Sequence, residues 1–323
     1  MNKAVFLNET GGPENFALRD HEPPAPGPGA MLVRNTAIGL NFIDIYQRKG
    51  LYPVSFPAIL GQEGVGVVEA IGEGVHGFQA GDRVAYLSAG GAYATATICE
   101  AGAAAKIPDA VDDNAAAAVF LKGLTAYMLL RDVFPLGPQH ACLIYAASGG
   151  VGTLLTQWAA HISATVIGVV GSEEKAVIAH DNGAKATIIR TMTSSVSADV
   201  RKLTGGAGVD VVYDSVGAAT FEASLDALAL RGHMVTYGNA SGPVPAVQPL
   251  DLARRGSLTL TRPTLFHYAT PDRLPAMAKA VFELVADGVL RPSVGYRLPL
   301  ADVAKAHQLL ESGGTTGAIV LKP

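Results

Sequence analysis

A glycine-rich turn between two apolar segments is the feature that most constrains the fold of this chain. Residues 143–147 are an apolar run, 148–152 (Ser-Gly-Gly-Val-Gly) are the turn, and 153–161 have a helical pattern. A strand, a tight turn and a helix in this order can bring backbone N–H groups and the positive end of the helix against a pyrophosphate. Ala147 stands where the G-x-G-x-x-G fingerprint has its first glycine. The segment nevertheless predicts a dinucleotide site formed by Gly149, Gly150, Val151 and Gly152.

The residues that follow this turn alternate between strand-like and helix-like patterns. Including the run before the turn, patterns typical of strands lie at 143–147, 165–170, 186–189, 209–213, 233–237 and 257–260. Helical patterns lie between them, near 153–161, 173–181, 195–204 and 219–229. This alternation predicts a doubly wound parallel sheet with crossover helices over residues 122–262.

The first 120 residues have a different pattern, with many short strands separated by turns. Strand patterns lie at 4–7, 31–38, 64–71 and 82–87. After residue 262 the chain has helical patterns at 274–287 and 301–311 and a last strand pattern at 318–321. We therefore predict an α/β protein whose parallel-sheet domain is inserted into a β-barrel domain made of residues 1–121 and 263–323.

Composition and charge argue against several classes of protein. The net charge is −4 and there is no basic block, so we expect neither nucleic acid nor an anionic membrane surface as a partner. No apolar run approaches the roughly 20 residues of a membrane span, and the N-terminus lacks a signal-peptide pattern. Cys99 and Cys142 fit buried small hydrophobic residues, and we expect a cytoplasmic protein.

The residue 20 positions after the glycine turn indicates which dinucleotide is preferred. An NAD-preferring fold has an Asp or Glu there, which binds the ribose 2′-hydroxyl groups. This chain has Ser172 instead, with Lys175 within one helical turn, and both suit a 2′-phosphate. We therefore predict a preference for NADP(H), with a solvated helix face as the alternative for Lys175. Glu173 and Glu174 are expected to point outward, and Arg190 is either a second phosphate-binding cation or a surface arginine.

Two further strands lead into glycine-containing segments that belong at the same edge of the sheet. Strand 209–213 leads to Gly217, and strand 233–237 leads to Tyr237 and Asn239. Ligands of doubly wound sheets bind at the carboxyl ends of the strands. We expect these three residues to border the nicotinamide half of the cofactor, with core packing as the alternative for Tyr237.

The histidines and cysteines do not form a metal-binding motif. The eight histidines are scattered along the sequence, and there is no C-x-x-C pair. His140 lies next but one to Cys142, at the start of a strand that we expect to be buried. We therefore expect no metal, and metal-assisted alcohol oxidation is not expected either.

Five segments together resemble the zinc-independent quinone oxidoreductases of the medium-chain dehydrogenase/reductase superfamily, the subfamily that includes the zeta-crystallins. They are residues 41–53, 60–66, 120–127, 146–152 and 213–217, and they occur in the order of the family. Where zinc-binding relatives have Gly-His-Glu, this chain has Gly61-Gln62-Glu63. The resemblance implies a GroES-like catalytic domain, a Rossmann domain that binds NADP(H), a small-molecule quinone as substrate, and a homodimer joined near residues 257–262.

The resemblance also implies which residues contact the cofactor. Carried over by position, they are Asn41, Tyr46, Thr125, Gly150, Val151, Ser172, Lys175, Gly217, Tyr237 and Asn239. Phe266 is predicted as a further cofactor-binding residue. Two positions depart from the family pattern, because Arg190 replaces a tyrosine and Gly313 replaces an arginine.

The implied reaction is the transfer of a hydride from nicotinamide to an electron-poor acceptor. Tyr46 and Tyr52 are candidate hydrogen-bond donors to the acceptor oxygen, with packing in the wall of the site as the alternative. Asn41 and Gln62 are candidates for positioning the acceptor. Two other functions stay open at this point: reduction of activated C=C bonds such as those of enones, and NADPH binding with little turnover, as in the crystallins.

Overall fold

The computed structural model describes residues 1–191 and 195–323, which form two compact units. The barrel unit comprises residues 1–124, 269–288 and 292–323. The parallel-sheet unit comprises the described residues of 125–268 together with 289–291. Each unit therefore has its own elements and its own core.

Short strands separated by turns build the first part of the barrel unit. They are β1 (Lys3–Leu7), β2 (Phe16–Asp20), β3 (Ala30–Gly39), β4 (Ala58–Ile59), β5 (Glu63–Ile71), β6 (Arg83–Leu87), β7 (Ala96–Glu100) and β8 (Ala104–Lys106). Helix α1 (Phe42–Arg48) follows β3, and α2 (Asp113–Tyr127) leads out of the barrel unit and continues into a π-helical turn, Met128–Val133.

Strands and helices alternate in the parallel-sheet unit. Its strands are β9 (Ala141–Tyr145), β10 (Thr165–Val170), β11 (Ala186–Ile189), β12 (Val209–Asp214), β13 (Leu228–Thr236) and β14 (Thr259–Thr261). Its helices are α3 (Gly150–His161), α4 (Glu173–Asp181), α5 (Val196–Leu203), α6 (Phe221–Ala227) and α7 (Pro249–Arg254). The strand order is β11-β10-β9-β12-β13-β14, and every neighbouring pair is parallel. The predicted doubly wound sheet is confirmed.

The C-terminal segment completes the barrel unit. Its elements are α8 (Leu274–Ala286), β15 (Val294–Pro299), α9 (Val303–Glu311) and β16 (Ala318–Lys322). Strand β16 lies antiparallel to β3, with Val320 opposite Gly39, and the larger sheet has the order β15-β16-β3-β5-β6-β8 with β7 also paired to β3. The smaller sheet has the order β2-β1-β4.

The apolar runs of the sequence account for the two cores. Strands β9, β10 and β12 contribute Leu143, Ile167 and Val212, which are buried in the parallel-sheet core. Continuous apolar runs are typical of strands that are covered on both faces by helices. In the barrel core, Met31 of β3 packs in the same cluster as Leu321 of β16, so the C-terminal strand is held by burial as well as by pairing.

Several sequence-based boundaries were wrong. Strand 143–147 ends at residue 145, because Ala146 adopts a left-handed backbone conformation (φ +52°) that begins the glycine turn. Strand 257–260 is displaced to Thr259–Thr261, and helices α1 and α7 and strand β2 were not predicted. Helices α1 and α7 have seven and six residues, too short for a helical period to stand out in the sequence. Within the described ranges, no helix has the length and apolar character needed to cross a membrane.

Candidate functional site

The carboxyl ends of the parallel strands bring the predicted cofactor residues to one edge of the sheet. The glycine turn follows β9, Ser172 follows β10, Arg190 follows β11, and the segments after β12 and β13 complete this edge. From β9 the sheet extends to β10 on one side and to β12 on the other, so the glycine turn lies where the strand order reverses. In open α/β sheets this switch point is where ligands bind.

The glycine turn has the backbone of a phosphate site. Gly149 is the N-cap of α3 and has no side chain to cap the helix, so the N–H groups of the first helical turn face outward for an anion. A Cβ on Gly152 would lie 2.0 Å from the carbonyl oxygen of Ala146, so only glycine allows α3 to start this close to β9. The turn therefore fits the pyrophosphate of a dinucleotide.

The missing first glycine has a structural explanation. Ala147 is fully buried, and it faces Gly168 on the neighbouring strand β10. A Cβ on Gly168 would lie 3.0 Å from the Ala147 methyl group. A glycine on β10 thus provides the space that the fingerprint usually provides at position 147.

Ser172 is the N-cap of α4, a role that the sequence analysis missed. Its hydroxyl oxygen accepts a hydrogen bond from the backbone N–H of Lys175 at 3.3 Å. A hydrogen bond with this hydroxyl lowers the pKa of Glu174. Glu173 and Glu174 are both exposed, as predicted. Ser172 and Lys175 thus lie together at the positive end of α4, where the Ser172 hydroxyl accepts from the Lys175 N–H and donates its own hydrogen to the Glu174 carboxylate.

The remaining predicted residues of this edge are held by backbone contacts. Gly217 has φ +94°, and a Cβ there would lie 2.4 Å from the carbonyl oxygen of Gly242, so the turns after β12 and β13 pack together. Tyr237 donates its backbone N–H to the Asp214 carbonyl oxygen at 2.8 Å, and Asn239 follows it. Arg190 is exposed and donates from Nη2 to the carbonyl oxygen of Ala219 at 3.0 Å, beside the Gly217 turn.

Asp214 is an organising residue that the sequence analysis missed. Its buried carboxylate accepts from the backbone N–H groups of Val216 (2.7 Å) and Gly217 (3.1 Å). It also accepts from the hydroxyl groups of Thr220 (2.7 Å) and Ser224 (2.8 Å). This carboxylate therefore fixes the turn that carries Gly217. An aspartate at the end of a strand, directly before Ser-Val-Gly, was the signal in the sequence.

Two predicted cofactor residues lie away from the strand ends. Thr125 is buried in the last turns of α2, and Phe266 is partly exposed in a short 3₁₀ turn, Leu265–His267. Their contact with a cofactor stays a prediction.

The four predicted catalytic residues belong to α1 and the start of β5 in the barrel unit. Asn41 is the N-cap of α1, Tyr46 lies within this helix, and Tyr52 follows it. The rings of Tyr46 and Tyr52 meet edge to face, with centroids 5.6 Å apart. The buried side chain of Gln62 donates from Nε2 to Gln47 Oε1 at 3.3 Å, which ties the start of β5 to the same helix. One short helix therefore brings the four residues together.

A buried ion pair beside Asn41 was not predicted. Glu63 accepts from Asn41 Nδ2 at 2.9 Å, from Lys122 Nζ at 3.0 Å and from the backbone N–H of Leu121 at 2.8 Å. The exposed fractions of the Glu63 and Lys122 side chains are 1% and 6%. Glu63 and Lys122 are 59 residues apart, so no local pattern could have joined them.

A second buried carboxylate, Asp44, holds the other side of the α1 N-terminus. Its Oδ2 accepts from the backbone N–H of Asn41 and from the Tyr93 hydroxyl, each at 2.9 Å. Burial raises the pKa of Asp44 to about 7, against the hydrogen bonds from Asn41 and Tyr93, which lower it. His307 Nε2 lies 3.1 Å from the Tyr93 hydroxyl oxygen, and burial followed by the charge of Arg48 lowers the pKa of this histidine to about 3.

The donor groups of the barrel site do not fit a zinc ion. Gln62, at the position of the histidine in zinc-binding relatives, offers a neutral amide that is engaged with Gln47. Across residues 1–191 and 195–323, no group of three or more His, Cys, Asp or Glu side chains is arranged to hold a metal. Cys99 and Cys142 are both buried and free, and neither belongs to a group of side chains that could hold a metal within the described residues.

Comparison with known proteins matches both units. The model of the alcohol dehydrogenase GroES-like domain matches residues 27–109, and that of the zinc-binding dehydrogenase matches residues 150–287. A quinone oxidoreductase of Pseudomonas aeruginosa is 46% identical over 326 residues, with full coverage of both chains. A 2-haloacrylate reductase of a Burkholderia species is 42% identical, covering all of this chain and 99% of the relative.

The similarity extends to solved structures over the full length. The crystal structure of Escherichia coli quinone oxidoreductase complexed with NADPH has a TM-score of 0.97 and 42% identity, and it covers 99% of this chain and all of its own. The chain belongs to the quinone oxidoreductase family of the medium-chain dehydrogenase/reductase superfamily.

Proposed function

We propose that this protein is an NADPH-dependent quinone oxidoreductase that works without zinc. The observation that carries the proposal is the pair Ser172 and Lys175 at the N-terminus of α4, directly after β10, where an NAD-preferring fold has a carboxylate. Full-length similarity to quinone oxidoreductases, one of them solved with NADPH, supports the same cofactor and substrate class.

Residues of the parallel-sheet unit would hold the cofactor. The N–H groups at the start of α3 suit the pyrophosphate, and Lys175 suits the 2′-phosphate. Arg190, which stands where the family often has a tyrosine, would add a second positive charge at this edge. Tyr237, Asn239 and the Gly217 turn are proposed to border the nicotinamide half. When bound, NADPH supplies the hydride.

Residues of the barrel unit would bind and orient the acceptor. We propose that the hydroxyl groups of Tyr46 and Tyr52 donate hydrogen bonds to the quinone oxygen, and that Asn41 and Gln62 orient the ring. The edge-to-face contact between the two tyrosines limits their rotation, which favours a fixed donor geometry. A quinone needs little acid catalysis because its two-electron reduction gives a stabilised anion, so oriented hydrogen bonds are sufficient.

Steady-state oxidation of NADPH with 1,2- and 1,4-quinones tests the reaction. Turnover with quinones supports the proposal, and NADPH binding without turnover of any acceptor contradicts it in favour of a binding protein. Lys175→Ala tests the cofactor preference, with NADH as the internal control. We expect the KM for NADPH to rise by about tenfold while the KM for NADH changes little, since one phosphate contact is lost. Equal changes for both would refute the role of Lys175.

Reduction of an activated C=C bond is the second candidate function. The 42% identical 2-haloacrylate reductase favours it, because its named substrate is an electron-poor alkene carrying a carboxylate. Parallel assays with enones and 2-haloacrylates separate the two functions: turnover of these alkenes without turnover of quinones would establish the second one.

We also propose a homodimer and a cytoplasmic location. Strand β14 is an end strand of the described parallel sheet and pairs with β13 on one side, which leaves its other edge for a second copy. A molar mass of one chain, measured by light scattering, would contradict the dimer. Both cysteines are free and buried, as is usual in a reducing compartment, and cell fractionation tests the location.

A further inference from the structure

We propose that Glu63, with Lys122 as its counter-ion, is a positioning residue that fixes the side-chain amide of Asn41. The inference rests on the proposed function, in which Asn41 orients the acceptor, and on the family resemblance, which implies that Asn41 also contacts the cofactor. It adds two residues, Glu63 and Lys122, that neither the sequence analysis nor the similarity to known proteins assigned to the site.

The hydrogen bonds determine which way the Asn41 amide points. Nδ2 has two hydrogens, and they are directed to the carbonyl oxygen of Gly39 (3.3 Å) and to Glu63 Oε1 (2.9 Å). The reversed amide would place its oxygen against the Glu63 carboxylate, which is repulsive. Oδ1 faces the N-terminus of α1, in a capping box with Asp44. The carboxylate thus determines that the amide of Asn41 turns its NH2 group toward Glu63 and presents its acceptor oxygen on the other side.

The backbone of Asn41 is held from the opposite side. Asp44 Oδ2 accepts its N–H at 2.9 Å, so one residue is fixed by two buried carboxylates, through its main chain and its side chain. Such double restraint is typical of side chains whose orientation matters for a ligand.

Burying an ion pair is unfavourable unless good geometry and further hydrogen bonds compensate both charged groups for the water they lose. The Glu63 carboxylate meets this condition, because it accepts from Lys122, Asn41 and the Leu121 N–H. The backbone also makes room for it: a Cβ on Gly39 would lie 2.2 Å from Glu63 Oε1. Because Gly39 has no side chain, the Glu63 carboxylate can lie against its backbone. Any larger residue at position 39 would collide with this carboxylate.

A double-mutant cycle between Asn41 and Glu63 tests the proposal. The variants are Asn41→Ala, Glu63→Gln and the double variant, and the readouts are kcat with a quinone and the Kd for NADPH from fluorescence titration. We expect Glu63→Gln to lower kcat or raise this Kd by about tenfold, because a displaced side chain loses its ligand contact. In the Asn41→Ala background the same change should have an effect of less than about twofold, since Glu63 acts through Asn41.

The matched control is Asp113→Asn in the same unit. Asp113 forms an ion pair with Arg83 at 2.6 Å, with the side chains about one third exposed. We expect this change to lower the melting temperature but to leave kcat and the Kd for NADPH unchanged. If Glu63→Gln does not fold, Glu63→Asp keeps the charge opposite Lys122 while withdrawing the carboxylate from Asn41, and the same cycle applies.

Equal effects of the Glu63 change in both backgrounds, on kcat and on the Kd, would overturn the inference. So would wild-type values in Glu63→Gln. Failure of the proposed function is a separate result, because the wild-type protein would then oxidise no NADPH with any quinone. The double-mutant cycle read out as the Kd for NADPH would still test the role of Glu63.

Discussion

Replacing Asp44 by asparagine is expected to stabilise the barrel unit at high pH and to leave its stability unchanged or lower it at low pH. Asp44 is fully buried, and burial raises its pKa from 3.8 to about 7, against the lowering effect of hydrogen bonds from Asn41 and Tyr93. A carboxyl group whose pKa is raised on folding contributes fully to stability only below its unfolded pKa. That contribution is lost as the pH rises through about 7, because the buried group must then ionise.

The size of the effect follows from the difference between the two pKa values. One pKa unit corresponds to about 1.4 kcal/mol, so the raised pKa of Asp44 destabilises the fold by about 4 kcal/mol above pH 8, and about 2 kcal/mol of this is already present at pH 5. Asparagine cannot ionise, and its oxygen can accept both hydrogen bonds that Oδ2 accepts, from the Asn41 N–H and the Tyr93 hydroxyl. Burying the new NH2 group has a cost of about 1–3 kcal/mol that does not depend on pH. The stability gained by Asp44→Asn therefore increases by about 2–3 kcal/mol between pH 5 and 8.5.

Thermal unfolding of the wild type and Asp44→Asn at both pH values measures this gain. For a unit of this size, about 2–3 kcal/mol corresponds to a melting-temperature difference between variant and wild type that grows by roughly 5–10 °C between pH 5 and 8.5. Asp113→Asn is the control: burial alone would raise the pKa of Asp113, but hydrogen bonds from Thr36 and Arg83 outweigh burial and lower it. Its stabilisation is present at both pH values, so this variant should melt earlier at both. A melting-temperature difference for Asp44→Asn that stays constant with pH would refute the reasoning.

Three further predictions concern the glycine turn, the Gly217 turn and zinc. Gly152→Ala should destabilise the protein by about 1–3 kcal/mol and weaken NADPH binding, because the methyl group would meet the Ala146 carbonyl oxygen at 2.0 Å. The control is Gly27→Ala in an exposed segment of the barrel unit, where the added Cβ has no neighbouring atom within 4 Å, and it should change neither chemical denaturation nor NADPH titration. Asp214→Asn should lower the free energy of unfolding by about 2–3 kcal/mol in urea titrations, because an amide cannot accept the four hydrogen bonds that this carboxylate accepts. Gln62→His should retain less than about 0.1 zinc per chain after dialysis, measured by elemental analysis, because one imidazole does not complete a four-coordinate site; stoichiometric zinc would refute this.

Local signals predicted the parallel sheet well. Residues 165–170 and 186–189 were predicted as strands with their observed bounds. The first is buried along almost its whole length and reads as a continuous apolar run. The second is a half-buried end strand, and its β-branched residues 187–189 gave the signal. Ser172 was selected by counting from the glycine turn, and the structure adds that it caps α4. Short elements were harder to predict. Helix α1 has only seven residues, and its N-cap residue Asn41 is held in part by Glu63, which is 22 residues away in the sequence.

The order of the strands in the parallel-sheet unit, the glycine turn and the absence of an acidic residue at position 172 could be predicted before the fold was known, because each depends on neighbouring residues in the chain. The room that Gly168 makes for Ala147 and the buried pair of Glu63 and Lys122 against Asn41 became visible only in the folded structure. These contacts join residues 21 to 59 positions apart. Their energies depend on burial and on interatomic distances, and those quantities exist only once the chain has folded.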